Sequence, residues 1–327
     1  MATQPAQTRP TFQDVLAAQR LVDRYLSRTP FHHYPGLSDL AGAEVWVKHE
    51  NCQPIGAFKV RGGLSVVAGL TDEERGRGVI CASTGNHGQA MAYASRLFGV
   101  RCIVGMPEGA NPDKAASIRA RGAEIIYHGR DFDDAREHVD RLAAEQGYRY
   151  VHSGNERYLI AGQATETLEI LEAQPDVDVI VVPVGGGSGA SGACIVAKAI
   201  NPRIQVIGVQ SEAAPAAYRS WKARRLVDAP CETLAEGLAT RTAFALPQEI
   251  LWDLLDDFVL VDEASLRRCV RLYLEKTHHL TEPAGAAPLA GALALRDRLA
   301  GKKVALIMSG GNVTVSQLRA ILAEPDA

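Results

Sequence analysis

The chain alternates short apolar segments with longer segments of helical periodicity almost from end to end. Val79-Ile80-Cys81-Ala82 and the run 177–184 are examples of the apolar segments, and 132–146 has a clear helical pattern. Strands that are apolar on both faces predict parallel sheets covered by helices on both sides. In such folds the loops at the carboxyl ends of the strands gather at one edge, where ligands bind.

The pattern gives a full set of expected elements. We expect strands at 44–48, 79–82, 101–107, 123–127, 177–184, 205–210, 258–261 and 303–308. We expect helices from the 83–87 loop to about Phe98, at 113–121, 132–146 and 161–173, from the glycine-rich 185–192 segment to Ile200, from about Glu263, at 282–299, and after Thr314. Gly147 is a typical residue after a helix end, and Asn201-Pro202 ends another helix.

Composition narrows the class of protein. The 327 residues are 46% hydrophobic and 22% charged, and the formal net charge is -3. These values are typical of a globular protein of about two domains, and no basic run indicates a nucleic-acid partner. Met1–Gln7 has no apolar core and no apolar run reaches the ~18 residues of a membrane span, so we expect a cytoplasmic protein. The six cysteines are scattered and have no metal-ligand spacing.

Lys59 is the most informative single residue. It follows Pro54, Gly56 and Phe58 in a turn that leads into a run of small and apolar residues. A lysine in partly apolar surroundings has a lowered pKa and acts as an amine nucleophile that forms Schiff bases. The alternative is a surface lysine beside a helix start.

A glycine-rich loop, 185–189, follows the apolar run 177–184 and precedes a helix. Backbone N–H groups at a helix N-terminus form an anion site, which predicts a phosphate ligand. The segment 187–192 also matches G-x-G-x-x-G, and Glu212 follows the next strand. A nicotinamide-dependent oxidoreductase is therefore an alternative. That alternative gives no role to Lys59 or to the loops described next.

Two further loops follow apolar strands. The segment 83–89 combines hydroxyls, an amide and a helix N-terminus, which suits a carboxylate, and Ser83 or Thr84 is equally suited to cap the helix. Ser309-Gly310-Gly311-Asn312 follows the last strand. A serine there can bond a neutral ring nitrogen without forcing its protonation.

Together these loops resemble the fold type II pyridoxal-phosphate enzymes, an α/β fold of the tryptophan synthase β type with parallel sheets flanked by helices. The most similar group is that of the serine/threonine dehydratases and serine racemases. The resemblance runs from about Thr11 to Leu322. Its motifs are Pro54-Ile55-Gly56-Ala57-Phe58-Lys59, Ser83-Thr84-Gly85-Asn86-His87-Gly88-Gln89, Ile160-Ala161-Gly162-Gln163, Gly185-Gly186-Gly187-Ser188-Gly189, Glu282-Pro283-Ala284-Gly285 and Ser309-Gly310-Gly311-Asn312.

The resemblance implies a role for each motif. Lys59 would bind pyridoxal 5'-phosphate as a Schiff base and then move the Cα proton. The other implied cofactor contacts are Phe58 on the ring, Asn86 on the ring hydroxyl, Gly185, Gly186, Gly187, Ser188 and Gly189 on the phosphate, Ser309 on the ring nitrogen, and Glu282 nearby. Ser83, Asn86 and His87 would bind the substrate carboxylate.

The implied activity is dehydration and deamination of a β-hydroxy amino acid of the threonine or serine type, giving a 2-oxo acid and ammonia. A racemase, a hydroxyaspartate or phenylserine dehydratase, a β-replacement synthase and an inactive binding protein are alternatives within the same resemblance. It also implies a homodimer, a large domain of residues 1–76 and 152–327, a small domain of residues 77–151, and no C-terminal regulatory domain.

Four positions depart from the family pattern. Thr84 stands where serine racemases carry a serine that acts as the second acid/base, which counts against a racemase; because a threonine hydroxyl can do the same job, Thr84 is still the candidate for that role. Gln210 and Ala216 stand where the family's divalent cation has acidic ligands, so no metal is expected. Ser153-Gly154 replaces the usual proline after His152, and Ser188 adds a hydroxyl to the phosphate loop.

Overall fold

A computed structural model describes residues 8–324. The expectations for Met1–Gln7 and for the three C-terminal residues lie outside the described part. Its strands are β1 (Phe31–His33), β2 (Glu44–His49), β3 (Val79–Ala82), β4 (Cys102–Met106), β5 (Glu124–Tyr127), β6 (Arg149–Tyr150), β7 (Val179–Pro183), β8 (Gln205–Ser211), β9 (Asp257–Val261) and β10 (Lys303–Met308).

The helices cover most of the remaining chain. They are α1 (Phe12–Tyr25), α2 (Pro35–Ala41), α3 (Lys59–Ala68), α4 (Asp72–Arg77), α5 (Asn86–Leu97), α6 (Pro112–Ala120), α7 (Phe132–Gln146), α8 (Arg157–Ala173), α9 (Ser188–Ile200), α10 (Ala216–Ala223), α11 (Ala245–Leu254), α12 (Glu263–Thr277), α13 (Pro283–Ala294), α14 (Arg296–Leu299) and α15 (Val315–Ala323). Within residues 8–324, none of them is long and apolar enough to cross a membrane.

The chain divides into two compact units, each with its own sheet. The four-strand unit contains the residues up to Leu26 and Lys59–Gln163. The six-strand unit contains Ser27–Phe58 and the chain from Ala164 onward. The chain passes between the units at three peptide bonds, and one of them joins Phe58 to Lys59.

The four-strand sheet is parallel throughout, in the order β5-β4-β3-β6. Ile80 and Ile103 are register partners and pack with Val139 of α7 in a buried cluster. Helices α3 and α5 pack very closely, because a Cβ on Gly63 would lie 2.8 Å from the carbonyl oxygen of Ala90. Only glycine permits that approach.

The six-strand sheet has the order β1-β2-β10-β7-β8-β9. Among its described pairings only β1 with β2 is antiparallel. Leu306 of the central strand β10 is in register with Val47 and with Val181, and all three side chains are fully buried. The apolar helix α13 belongs to the same core, to which it contributes Ala286, Ala287 and Leu289. This confirms the prediction of an α/β fold built on parallel sheets.

The predicted helix over 282–299 is wrong in one respect, because it is two helices. Helix α13 ends before Leu295, whose N–H is shared between the carbonyl oxygens of Gly291 and Ala292. Such a shared bond tightens the last turn and ends the α-helix. The four-residue helix α14 then begins with Arg296.

The compact units have bounds that differ from the predicted domains. Helices α1 and α3 and residues 152–163 belong to the four-strand unit, whereas the prediction assigned them to the large domain. The physical reason is the close packing of α3 on α5 and of α1 on α3. The division into residues 1–76 with 152–327 against 77–151 stays a prediction.

Candidate active site

Lys59 is the first residue of α3 and is half-buried. Its Nζ donates a hydrogen bond of 3.4 Å to the backbone carbonyl oxygen of Ser153. One turn further on, a Cβ on Gly62 would lie 2.8 Å from the carbonyl oxygen of Leu159. The close contact fixes α3 against the start of α8 and thereby fixes the base of the Lys59 side chain.

The 83–87 loop leads from β3 into α5 and is closed by the hydroxyl of Ser83. That oxygen accepts the N–H groups of Gly88 at 2.9 Å and Gly85 at 3.2 Å. Gly85 is the N-cap and has no side chain to bond the first turn. Ser83 therefore takes the capping role that the sequence left open, and the N-terminus of α5 keeps its positive potential for an anion. Thr84 is half-exposed on the same loop.

His87 is buried and neutral. Its Nε2 lies 3.1 Å from the carbonyl oxygen of Val151, which requires a hydrogen on Nε2. Its Nδ1 has no hydrogen-bond partner among residues 8–324. Burial, and then the nearby Lys59 cation, lower the pKa of His87 to about 3. The neutral ring therefore offers no positive charge to a substrate carboxylate. If His87 binds that carboxylate, the contact is made by its backbone N–H at the start of α5.

His152 shapes the turn that presents the carbonyl group of Ser153 to Lys59. Its Nδ1 accepts the N–H groups of Gly154 at 3.0 Å and Asn155 at 2.9 Å. Burial, followed by the Arg136 and Lys59 cations, lowers the pKa of His152 to about 4. A neutral His152 keeps Nδ1 free to accept both bonds. The local sign of this turn in the sequence is weak: Gly154, two residues after the histidine.

The glycine-rich loop of the six-strand unit follows β7 and opens α9. Gly187 is the N-cap with φ 88°, in the left-handed region that favours glycine, and it offers no side-chain cap. A Cβ on Gly185 would lie 2.2 Å from the carbonyl oxygen of Gly237, and one on Gly186 would lie 2.0 Å from Cε2 of Phe244. One side of the loop is therefore packed against protein, and the helix N-terminus that it opens suits a phosphate.

Phe58 and Ser309 are joined in the same unit. The N–H of Phe58 donates to the carbonyl oxygen of Ser309 at 3.0 Å. The Phe58 ring lies over the first turn of α9, because a Cβ on Gly189 would be 3.0 Å from its Cε2. Ser309 is buried, and among residues 8–324 no protein group bonds its hydroxyl. That hydroxyl is available to a ligand.

Glu282 lies on the loop beside Ser309. Its N–H donates to the carbonyl oxygen of Gly310 at 3.0 Å, and a Cβ on Gly310 would lie 2.6 Å from Glu282 Oε1. The predicted site residues thus form two sets that meet in the chain at the Phe58–Lys59 bond. The four-strand unit carries Lys59, Ser83, Thr84, Asn86 and His87, and the six-strand unit carries Phe58, Gly185, Gly186, Gly187, Ser188, Gly189, Glu282 and Ser309.

Comparison with known families identifies the family of the chain. Residues 22–310 match the family model described as pyridoxal-phosphate dependent enzyme. The chain belongs to the pyridoxal-phosphate dependent enzymes. This confirms the family that the motifs resemble and the cofactor that they imply.

Individual relatives of this pyridoxal-phosphate enzyme cover nearly all of it. It is 39% identical to an L-threonine ammonia-lyase of Thermotoga maritima over 95% of this chain and 78% of that protein. It is 35% identical to an L-threo-3-hydroxyaspartate ammonia-lyase of Saccharomyces cerevisiae over 96% of this chain and 97% of that protein. The crystal structure of serine racemase from Dictyostelium discoideum matches with a TM-score of 0.89 and 34% identity, over 94% of this chain and 99% of that one.

The donor groups of this pyridoxal-phosphate enzyme fit its cofactor. The uncapped N-terminus of α9 suits the phosphate dianion, the Phe58 ring offers an apolar face, and the free hydroxyl of Ser309 suits a neutral pyridine nitrogen. The half-buried amine of Lys59 suits the aldehyde.

The glycines of the G-x-G-x-x-G match serve the packing of α9 in this pyridoxal-phosphate enzyme. Gly189 lies under Phe58, and a Cβ on Gly192 would be 2.8 Å from Cα of Ala164. These contacts account for both glycines without a dinucleotide. The nicotinamide alternative therefore has no support from this helix.

Proposed function

We propose that this enzyme is an ammonia-lyase that converts a β-hydroxy-α-amino acid of the threonine or serine type into a 2-oxo acid and ammonia. The observation that carries the proposal is the placement of Lys59. Its amine is held by the carbonyl oxygen of Ser153 and lies close enough to His87 to lower the pKa of that ring, at the loop that suits a substrate carboxylate. The similarity to L-threonine ammonia-lyases supports the reaction class.

Each part of the cofactor is assigned to the protein group whose chemistry suits it. Lys59 holds the aldehyde carbon, the N–H groups of 185–189 hold the phosphate, and Ser309 bonds the ring nitrogen. Phe58 covers one ring face, Asn86 bonds the ring hydroxyl and Glu282 lies nearby. When bound, the cofactor delocalises the negative charge that develops at Cα.

Lys59 moves the proton in the proposed mechanism. Its neutral amine removes the Cα proton and becomes an ammonium group. The carbonyl oxygen of Ser153, 3.4 Å from Nζ, accepts a hydrogen bond from that ammonium and thereby restricts the orientation of the Lys59 side chain. His87 and His152 stay neutral beside it, so they add no like charge that would oppose the protonation of Lys59.

The substrate carboxylate binds at the start of α5 in this proposal. The helix N-terminus supplies positive potential, and Ser83 fixes the loop by bonding Gly85 and Gly88. Ser83, Asn86 and His87 are the proposed contacts, with His87 acting through its backbone. Binding at a fixed loop orients Cα toward the amine of Lys59.

Thr84 supports a second candidate, an amino-acid racemase. Its side chain is half-exposed, and no hydrogen bond occupies its hydroxyl within residues 8–324. A threonine hydroxyl there can return a proton to the opposite face of Cα. Dehydration of hydroxyaspartate or phenylserine is the alternative within the lyase class, and one relative is named for the former substrate.

The test is product analysis with a panel of β-hydroxy amino acids and purified holoenzyme. The proposal expects a 2-oxo acid and ammonia in equal amounts from one or two of them. Lys59→Ala should release neither product, while the control Lys276→Ala, at an exposed position near the end of α12, should release both. Interconversion of L- and D-serine without oxo acid would instead favour the racemase.

We also propose that the enzyme is a homodimer in the cytoplasm. The proposal rests on the family resemblance. Light scattering coupled to size exclusion measures the mass directly, and a mass of one chain would contradict the dimer.

A further inference from the structure

The loop after β8 is the place where the family pattern puts a divalent cation, and its residues do not suit one. Gln210 is the last residue but one of β8 and its side chain is fully buried, as are Ala214 and Ala216 in the loop and at the start of α10. A hard cation requires several oxygen ligands, most of them carboxylates. Within residues 8–324 no three His, Cys, Asp or Glu side chains are arranged to hold a metal.

Gln210 forms a hydrogen bond within the protein, at a position where the family pattern has a ligand of the cation. Its Oε1 accepts the N–H of Tyr218 at 3.0 Å, in the first turn of α10. The N-cap of that helix is Pro215, which makes no side-chain cap. An amide oxygen therefore satisfies an N–H that the helix start leaves open.

Ser211 is held by Glu263, the first residue of α12. The hydroxyl of Ser211 donates to Glu263 Oε1 at 2.5 Å, and Thr233 donates to the same oxygen at 2.7 Å. The N–H of Leu234 donates to Glu263 Oε2 at 2.9 Å. Three hydrogen bonds thus stabilise the negative charge of Glu263 and join the loop after β8 to the segment 233–234.

This network continues to the phosphate loop. Thr233 Oγ1 accepts the N–H of Ala235, and the carbonyl oxygen of Ala235 accepts the N–H of Leu238. These bonds fix the turn that contains Gly237. The carbonyl oxygen of Gly237 lies so close to Gly185 that any side chain at position 185 would collide with it. A displacement of Leu234 would therefore move the surface on which the phosphate loop rests.

We propose that the hydrogen bonds centred on Gln210 and Glu263 replace the divalent cation in this enzyme, and that Glu263 positions the 185–189 loop through Gly237. Glu263 is a positioning residue, since it acts on the cofactor through Thr233, Leu234 and Gly237. The inference rests on the proposed role of 185–189 as the phosphate loop.

The first test uses the wild-type holoenzyme in EDTA and in excess Mg²⁺ or Ca²⁺. We expect the same thermal midpoint and the same dissociation constant for pyridoxal phosphate in all three buffers. If EDTA lowers the midpoint and weakens the cofactor, and Mg²⁺ restores both, the enzyme depends on a cation and the proposal is overturned. This test needs no variant and is independent of the substrate.

The second test measures the affinity of Glu263→Gln for pyridoxal phosphate and for pyridoxal, which lacks the phosphate. We expect pyridoxal phosphate to bind at least about tenfold more weakly, with pyridoxal nearly unchanged, because the loss of a charged acceptor disturbs the phosphate loop alone. Glu275→Gln, an exposed carboxylate on the same helix, should match the wild type. Thr233→Val removes one donor and should shift the affinity in the same direction if Glu263→Gln does not fold.

Two results of the second test would count against the proposal. Unchanged binding of pyridoxal phosphate by Glu263→Gln or Thr233→Val would show that Glu263 does not position the loop. Equal weakening of pyridoxal and pyridoxal phosphate would show that 185–189 does not hold the phosphate. The second result does not affect the chelation test. The replacement of the cation and the phosphate role of 185–189 can therefore be contradicted independently.

Discussion

The backbone N–H of Phe58 donates to the carbonyl oxygen of Ser309 at 3.0 Å. Because Phe58 immediately precedes Lys59, this bond ties the chain beside the proposed Schiff-base lysine to the proposed partner of the ring nitrogen. A second bond, from the N–H of Gly311 to the carbonyl oxygen of Gly56 at 2.9 Å, supports the first. The segment that ends at Phe58 and the segment that begins at Ser309 thus share a short antiparallel contact, with Ala57 opposite Gly310.

Ser309→Ala should reduce kcat more than it reduces cofactor affinity. The change removes only the hydroxyl, while the backbone bond to Phe58 remains, so the loop should keep its shape. We expect kcat to fall about tenfold, the effect of losing one hydrogen bond that matters during the reaction. Steady-state kinetics with the visible spectrum of the bound cofactor checks this. Ser316→Ala, on the exposed start of α15, is the control, and equal kcat values in the two variants would contradict the role.

Gly186→Ala should disturb the phosphate loop. The new Cβ would lie 2.0 Å from Cε2 of Phe244, so either the ring or the loop must move. Overpacking of this kind costs about 1–3 kcal/mol of unfolding free energy. We expect a lower thermal midpoint together with weaker pyridoxal phosphate binding. Gly76→Ala, inside α4, has open space around it, so it should leave cofactor binding unchanged and should not lower the thermal midpoint; a Gly186→Ala protein with wild-type affinity would show that the loop does not hold the phosphate.

Thr84 determines the balance between elimination and racemisation in our account. Thr84→Ala should leave 2-oxo acid release within a few-fold of the wild type, because Lys59 does the proton removal for that reaction, and should abolish any interconversion of L- and D-serine. Thr84→Ser should keep that interconversion or raise it. Chiral chromatography of the remaining serine measures both variants. Loss of 2-oxo acid release in Thr84→Ala would instead assign the hydroxyl to elimination.

His49 should make the protein less stable in mild acid. Burial, and then His279 and His32, lower the pKa of His49 from 6.5 to about 3 in the folded protein. The unfolded chain therefore binds the proton more tightly, so the stabilisation is complete above about pH 6.5 and is lost as the pH falls below it. At about pH 5 the loss from His49 is about 2 kcal/mol of unfolding free energy.

Urea unfolding between neutral pH and about pH 5 measures this loss. His49→Gln should make the unfolding free energy depend less steeply on pH, because the contribution of the His49 ring is gone. His33→Gln removes an exposed histidine from the neighbouring strand and should leave the dependence as in the wild type. A His49→Gln protein with the wild-type slope would contradict the prediction.

The sequence predicted the central elements well where one local pattern decides the structure. Two elements have the predicted bounds, helix Phe132–Gln146 and strand Lys303–Met308. An aspartate before the helix and Gly147 after it mark the ends of the helix, and an unbroken apolar run defines the strand. The first helix was missed although its capping box of Thr11 and Asp14 can be read in the sequence. A capping box of this kind marks the N-terminus of a helix.

Site features that depend on distant contacts could not be predicted. The neutral state of His87 comes from burial and from Lys59, 28 positions earlier in the chain, and neither effect is visible in the local sequence. Gly237 and Phe244 pack against the glycine-rich 185–189 loop from more than 50 residues further along the chain. The motif predicted which glycines lie in the loop, whereas the tertiary contacts explain why each must be glycine.

Reduction of the holoenzyme with borohydride, followed by peptide mapping, tests the central claim most directly. If Lys59 binds the aldehyde carbon of the cofactor, reduction will fix one pyridoxyl group on the peptide that contains Lys59 and will abolish 2-oxo acid release. A pyridoxyl group on any other lysine, or an active enzyme without a label on Lys59, would contradict the account.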